Sequence, residues 1–390
     1  TGTPSPLLQA ILDSRKGQAE LSAVLGDRVR EAVETLIQAH GDALREHCAD
    51  VPSADIYRAA VRVVMRMVVV LFAESRELLP RDNALYQGAY GLNGLRDELD
   101  KSAARGGNRL SRSWNAWPRV LSLFRLVHAG SHHEALPVPE YGGELFQPAE
   151  AKSHDGLTRA LCVFETAALD HEVFPDRDVH KVLGRITTTR VKVRQGHSAT
   201  WVAAPVDFSD LSSEYIGILY EGLLDFELKT APAGDPVIFL AVGNQPALPL
   251  SRLEEMDDKG LKSLLEKLKD TSKKTDEDAE GDEDGEPEVT SAEAEPEEPA
   301  SEEATDDADM PAEEETSQDE RQVTRTRAET WARSAALAGG LVKKPKGSVT
   351  AQKQAAFEEA LGRKAKQLVV RVILPGEWYV VRWGGTRKGS

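Results

Sequence analysis

The sequence predicts a mainly α-helical protein with a smaller α/β part, on three observations. Apolar residues recur three or four apart through most of the first 130 residues, the spacing that builds one buried helical face. Strand composition is confined to short runs from Ala199 onward, the strongest being Val237 to Val242. Between that run and the C-terminal part lies an acidic stretch with too few large apolar residues to offset the entropy of ordering it.

Taken in order, residues 1–130 read as a helical domain. From Pro6 to His47, Leu21, Val24, Leu25, Val29, Val33, Leu36, Ile37 and Leu44 mark packing helices. Pro52-Ser53 supplies the start of a long helix, Ile56 to Leu79, with Ser53 as its cap and Pro80 as its stop. The crowding of Val and Met in it predicts burial on most sides. After a Gly106-Gly107 break, a helix from about Arg112 to His128 carries Trp114, Trp117, Val120, Leu121, Phe124 and Val127 on one side.

Residues 131–270 read as a mixed α/β connector. A loop rich in Pro, Gly and His runs from Ala129 to Ser153, and helices follow near 154–170 and 178–184. A strand at Ala199 to Ala203, a helix from Leu211 to Lys229 and a buried strand from Val237 to Val242 complete it. Residues 271–320 are predicted to be a disordered acidic insertion. Residues 321–390 read as a basic helix-hairpin segment: helices near 325–338 and 350–364, then a β-hairpin whose strands, 367–374 and 377–383, flank Pro375-Gly376.

The net charge of −17 argues against nucleic acid until its distribution is seen. Residues 271–320 hold 23 Asp and Glu against Lys273 and Lys274, a net of −21, so the remainder sums to +4. Residues 321–390 carry +11 and residues 1–270 carry −7. Two cysteines, Cys48 and Cys162, exclude a disulfide scaffold and predict a cytoplasmic protein. The most apolar run, Met67 to Ala73, falls well short of the roughly 20 residues a membrane span needs, so no membrane partner is expected. The chain opens Thr1-Gly2-Thr3 and closes with a basic Gly/Ser tail, from which it is expected to be an excised portion of a longer protein.

Three sets of residues could carry chemistry. Pro205-Val206-Asp207 followed by Glu227-Leu228-Lys229 has the composition of a nuclease site, in which two carboxylates and a lysine hold Mg²⁺. That chemistry requires Glu227 and Lys229 two apart on a strand, whereas the helical periodicity up to Lys229 predicts different faces and a solvated helix end. His128, His132 and His133, with His154, His171 and His180 nearby, lack a completing Cys or acidic ligand and read as surface-loop histidines, while Cys162 in its apolar run reads as core. Metal ligands and catalytic residues are therefore expected to be none. The third set is basic: Lys343, Lys344, Lys346, Arg363, Lys364, Lys366, Arg382, Arg387 and Lys388 could contact DNA phosphates, with Trp331, Trp378, Tyr379 and Trp383 interspersed for stacking on bases. The competing reading makes the aromatics core and the lysines a solvated face. Gly88-x2-Gly91-x2-Gly94 is not a phosphate-cradling pattern.

Several stretches together resemble one family. Phe72-Ala73-Glu74-Ser75-Arg76-Glu77-Leu78-Leu79-Pro80, with Asn83 to Tyr90, resembles a helix of the large single-chain type IIG-like restriction-modification and phage-defence proteins. Pro139-Glu140-Tyr141-Gly142-Gly143-Glu144-Leu145-Phe146 is similar to a loop of theirs. Asp207 to Leu211 with Ile216-Gly217-Ile218-Leu219-Tyr220-Glu221-Gly222-Leu223-Leu224 is similar to a third segment, the most specific match. Arg387-Lys388-Gly389-Ser390 looks like the run leading into the family's methyltransferase domain.

The resemblance implies a parent enzyme, an adenine-specific DNA methyltransferase that transfers a methyl group from S-adenosylmethionine to adenine. Its implied partners are DNA, the downstream methyltransferase domain and other subunits of a defence system. The family's Asn/Asp-Pro-Pro-Tyr/Phe motif, which holds a flipped-out adenine, does not occur in this chain, nor does its glycine-rich cofactor motif. No catalytic or cofactor-binding residue is carried over, no cofactor is expected in this chain itself, and it reads as a helical connector that positions DNA. The alternatives are a stand-alone helical interaction protein with an acidic DNA-mimic arm, or a split-gene subunit of the methyltransferase.

Overall fold

A computed structural model describes residues 25–150, 152–170, 174–195, 198–209, 211–241, 246–257, 259–261, 264, 312–342 and 351–382. The protein is mainly helical with small antiparallel sheets, as the sequence predicts. It divides into two compact units, one running up to Lys229 and taking in Arg382, the other spanning Thr230–Val381, with no division at 130/131. No helix among the described residues is long and apolar enough to cross a membrane.

In the first unit helix α1 covers residues 25–39, and α2 Gly41–His47 and α3 Ser53–Ser75 follow it. Helix α3 is rich in β-branched valines, which locally favour strand. It is helical because Val61, Val63, Val64, Met65, Met67, Val68, Val70 and Leu71 are all at most 3 % exposed, and each such burial contributes about 1.5–3 kcal/mol. Ser53 is the first helical residue and not the cap, since Pro52 holds that position without a side-chain hydrogen bond. Nor does Pro80 stop the helix. It ends five residues earlier in a Schellman closure: the Glu77 N–H donates to the Glu74 carbonyl (3.3 Å) and the Leu78 N–H to the Ala73 carbonyl (2.9 Å), with Glu77 in the left-handed region at φ 57°.

Helices α4 (Ala84–Ala89) and α5 (Leu92–Ala104) follow, the first capped by Asn83 Oδ1. The predicted helix from Arg112 is split into a 3-10 turn, Gly107–Arg112, and helix α6, Ala116–Ala129. The expected loop after it contains a short hairpin, β1 (Ser131–His133) with β2 (Leu136–Val138), and a 3-10 turn at Glu144–Phe146. Helices α7 (Gly156–Asp170) and α8 (Asp176–Thr187) lead into a two-stranded antiparallel ribbon, β3 (Thr188–Gln195) with β4 (Ser198–Pro205). Only the second of these strands is foreseen from the sequence.

Helix α9 spans Ser213–Leu223, and the residues expected to extend it to Lys229 instead form strand β5, Phe226–Thr230. Gly222 weakens the last turn of α9, and the Leu223 carbonyl at its end accepts the Tyr57 hydroxyl of α3 at 2.8 Å in place of a continuing intrahelical bond.

The second unit is built on β6 (Val237–Leu240), flanked by β7 (Ala247–Pro249) and β8 (Val369–Ile373), both antiparallel to it. Helix α10 spans Leu250–Glu254, α11 Ala312–Ala338 and α12 Ala351–Leu368, and strand β9 spans Trp378–Arg382. Ile238 and Leu240 face a core with Leu253, Trp331, Ala332, Ala335 and Leu368, while Val237 and Phe239 pack with Ile373 and Tyr379. Burial on both faces explains why β6 reads as a continuous apolar run.

Two expectations are corrected here. The turn at Pro375-Gly376 forms, with the Glu377 N–H donating to the Leu374 carbonyl (3.1 Å), but its flanking strands do not make a hairpin: β8 pairs with β6, and β9 does not pair with β8. Residues 312–320 are helical, not disordered, whereas 271–311 lie outside the described residues. Helix α11 starts Ala312-Glu313-Glu314-Glu315, good helix formers whose negative charge complements the positive end of the helix dipole.

Candidate functional site

Residues 72–90, 139–146 and 207–224, far apart in sequence, meet around α3. Along its length Arg62 Nε donates to the Leu145 carbonyl (3.4 Å), and Arg66 donates to the carbonyls of Leu145 (2.6 Å) and Gln147 (2.9 Å). Arg62 also reaches the Glu144 carbonyl, and the Tyr141 hydroxyl donates to the Leu78 carbonyl. These bonds lay the Pro139–Phe146 stretch against the helix. On another side Arg76 donates to the Leu211 carbonyl (2.9 Å) and Tyr57 to that of Leu223, so α9 is held near both of its ends by α3.

At the C-terminal end of α3, Glu74 is 2 % exposed and its carboxylate is held by four hydrogen bonds. Its Oε1 accepts the Tyr86 hydroxyl (2.9 Å) and the Leu92 N–H (2.8 Å), and its Oε2 the Asn93 side-chain amide (2.7 Å) and N–H (3.3 Å). Glu74 thus ties α3 to α4 and caps α5 from outside. Burial pushes its carboxyl above the ordinary carboxylate range, opposed by these four bonds. Burial and the neighbouring Glu74 charge both raise the Tyr86 hydroxyl.

Beside this knot opens a cleft of about 350 Å³, with Glu74 and Tyr86 in its wall and Arg81, Asn93, Asp97 and Asp207 among its polar lining. Gly94 also lines it, and a Cβ there would stand 2.2 Å from the Gln87 carbonyl oxygen. Gly94 therefore serves the close packing of α4 on α5, whereas a Cβ on Gly88 would meet nothing within 4 Å. Sequence reasoning named Glu74 only inside the resemblance. Nothing local marks it as the meeting point of three helices.

The nuclease-like residues are rearranged relative to expectation. Glu227 and Lys229 lie two apart on β5, as a strand-borne site would require, and pair with each other at 2.7 Å. Asp207 lines the cleft, which neither of them does, and its carboxylate accepts Ser209 N (2.9 Å) and Oγ (2.6 Å), which holds it below the usual carboxylate range. Among the described residues no group of three or more His, Cys, Asp or Glu is placed to hold a metal. His128 ends α6 while His132 and His133 lie on β1, His180 pairs with Asp100 at 2.6 Å, and His171 lies outside the described residues. Of the cysteines, Cys48 is the buried one and Cys162 is only half-buried, contrary to expectation, because it sits one residue past the buried Leu161 on α7.

Of the basic residues, Arg363, Lys364 and Lys366 are exposed on the last turns of α12, whose opposite face buries Leu361, Ala365 and Leu368. Among the described residues none of the three has a carboxylate within ion-pairing distance. The arginines of α11 differ: Arg327 pairs with Glu254, Arg325 with Glu329 (3.6 Å) and Arg321 with Glu377. Arg382 is exposed at the end of β9, its guanidinium 5.6 Å from the Phe226 ring centre. Lys343, Lys344, Lys346, Arg387, Lys388 and Trp383 lie outside the described residues. Trp331 and Tyr379 are each 7 % exposed, and the Trp331 indole donates to the Leu253 carbonyl at 2.8 Å, so both are core side chains and not stacking platforms.

Comparison of the chain with models of protein families, with curated proteins and with solved structures found no match in any of the three.

Proposed function

We propose that this chain is the scaffold and DNA-positioning region of a bacterial adenine-specific DNA methyltransferase of the restriction-modification or phage-defence type. Methyl transfer from S-adenosylmethionine belongs, on this reading, to a methyltransferase domain not among these 390 residues, because the adenine-holding motif does not occur in them. One observation carries the reading: the three stretches quoted for the resemblance gather on α3 through Arg62, Arg66, Tyr57 and Arg76, as parts of one built core. The exposed cations Arg363, Lys364 and Lys366 support the DNA-positioning part.

Two measurements test it. Deleting the gene from its host should remove N6-methyladenine from a defined sequence context of the genome, and unchanged methylation overturns the methyltransferase assignment. The purified chain should bind duplex DNA with a log-log salt slope of about −0.9 per phosphate contacted. Replacing Arg363, Lys364 and Lys366 by Glu should weaken binding and flatten that slope. Superimposable curves would leave the basic segment as scaffold, and preference for a basic protein over DNA would favour an interaction protein with an acidic arm.

A further inference from the structure

The β3–β4 ribbon is a separate two-stranded sheet joined to the helices at its base. The Val206 N–H donates to the Thr187 carbonyl (2.9 Å), Thr187 Oγ1 to the Leu183 carbonyl (2.8 Å), and Arg28 Nε to the Thr188 carbonyl (3.3 Å). Eight residues on each strand make it roughly 25 Å long. Strand alternation places Arg190, Lys192 and Arg194 on one face, and the register sets Ala203, Trp201 and Ala199 opposite them on that same face. The other face takes Thr189, Val191 and Val193 with Ala204, Val202 and Thr200. No acidic residue occurs anywhere from Thr188 to Pro205, although residues 1–270 as a whole carry −7.

We propose that this ribbon is a contact for duplex DNA, with the face of Arg190, Lys192 and Arg194 against the phosphate backbone. The inference rests on the DNA-positioning reading and adds to it a second surface, on a different part of the chain from α12. Three cations at alternate positions stand about 7 Å from one another along a strand, a one-sided positive row with charge complementarity to a polyanion. A two-stranded ribbon is also an element that the major groove, about 12 Å wide, admits. Trp201 shares the face and is cross-strand partner to Lys192.

The test uses the full chain and the variant Arg190→Gln/Lys192→Gln/Arg194→Gln, with binding of a duplex of about 30 base pairs followed by fluorescence anisotropy across a salt series. If each cation neutralises one phosphate, the variant's log-log salt slope should be shallower by about 2.7, at 0.9 per contact. An unchanged slope and affinity in a variant with the parent's circular dichroism overturns the inference. Photocrosslinking of duplex DNA to the unmodified chain, followed by peptide mapping, decides the matter should the variant fail to fold. Crosslinks within residues 188–205 support the ribbon, and crosslinks confined to other segments overturn it. If the α12 variant weakens binding while the ribbon variant matches the parent, only the ribbon inference fails. If the parent chain binds no duplex even at low salt, the DNA-positioning reading fails and takes the ribbon with it.

Discussion

Arg66 and Glu165, 99 residues apart in sequence, meet at 2.6 Å in the interior, with side chains 1 % and 9 % exposed. The other guanidinium nitrogens hold the carbonyls of Leu145 and Gln147, and Glu165 Oε2 accepts the Ala149 N–H at 3.0 Å. The pair therefore pins residues 145–149 between α3 and α7. Removing one partner of such a buried pair strands the other charge and costs about 3–5 kcal/mol. Arg66→Met and Glu165→Leu should each destabilise by that order in urea denaturation, and the double variant should cost clearly less than their sum. Strict additivity would show that the two charges are not coupled.

Four groups, on Tyr86, Leu92 and Asn93, all donate to Glu74, which suits a carboxylate and not an amide. Glu74→Gln keeps the shape but turns an NH₂ toward donors, at a cost of about 1–3 kcal/mol for the groups left unpaired. Thermal melting should shift down, and the amides of Leu92 and Asn93 should exchange faster than in the parent. A variant as stable as the parent, with both amides still protected, would mean that the knot does not depend on the charge.

How far these features can be read in sequence varies by element. Strand β6 is legible because both its faces are buried, so Val237-Ile238-Phe239-Leu240 is apolar throughout. Strand β5 is not. Leu223, Leu224 and Phe226 continue a helical spacing past Gly222, and the Tyr57 hydroxyl that meets the Leu223 carbonyl lies 166 residues earlier, where no local pattern reveals it. Strand β3 hides for another reason: its alternation of cations with valine reads as polar surface until its partner is known. The clustering on α3 is not legible in the sequence, since Arg62, Arg66 and Arg76 act on backbone carbonyls that have no residue-type signature.

Glu77 closes α3 with φ 57°, where a side chain is strained and glycine is not. The equivalent closure after α11 does use glycine, Gly340 at φ 69°. The Glu77 side chain is exposed and has no resolved role in the core. Glu77→Gly relieves about 1–2 kcal/mol of left-handed strain against about 0.5–1 kcal/mol of added unfolded-state freedom, so it should stabilise the chain by up to about 1 kcal/mol, and Glu77→Val, β-branched in the same backbone region, should destabilise it. A Gly variant less stable than the parent would mean that the Glu77 side chain contributes something the backbone geometry does not reveal.

His40 is wholly buried among Trp117, Phe164 and Phe174, with ring centres 6.2, 5.1 and 4.8 Å away. Its Nδ1 lies 2.9 Å from the Leu36 carbonyl, and its Nε2 has no partner among the described residues. Burial pulls the imidazole down to about 4, against smaller opposing effects of the Leu36 carbonyl and the Asp178 charge. In an unfolded chain the same group titrates near 6.5. Between those values the unfolded state binds a proton that the folded state does not, so this contribution to stability is complete above pH 6.5 and is lost as the pH falls toward 4. From pH 7 to pH 5 the loss assignable to His40 is on the order of 2 kcal/mol. Leucine at this position has no such titration, so the difference in unfolding free energy between the parent and His40→Leu should shift by that amount between the two pH values. Every other group is common to both chains, which makes the comparison specific to His40. A difference that stays constant with pH would place a charged or solvated imidazole in the native state.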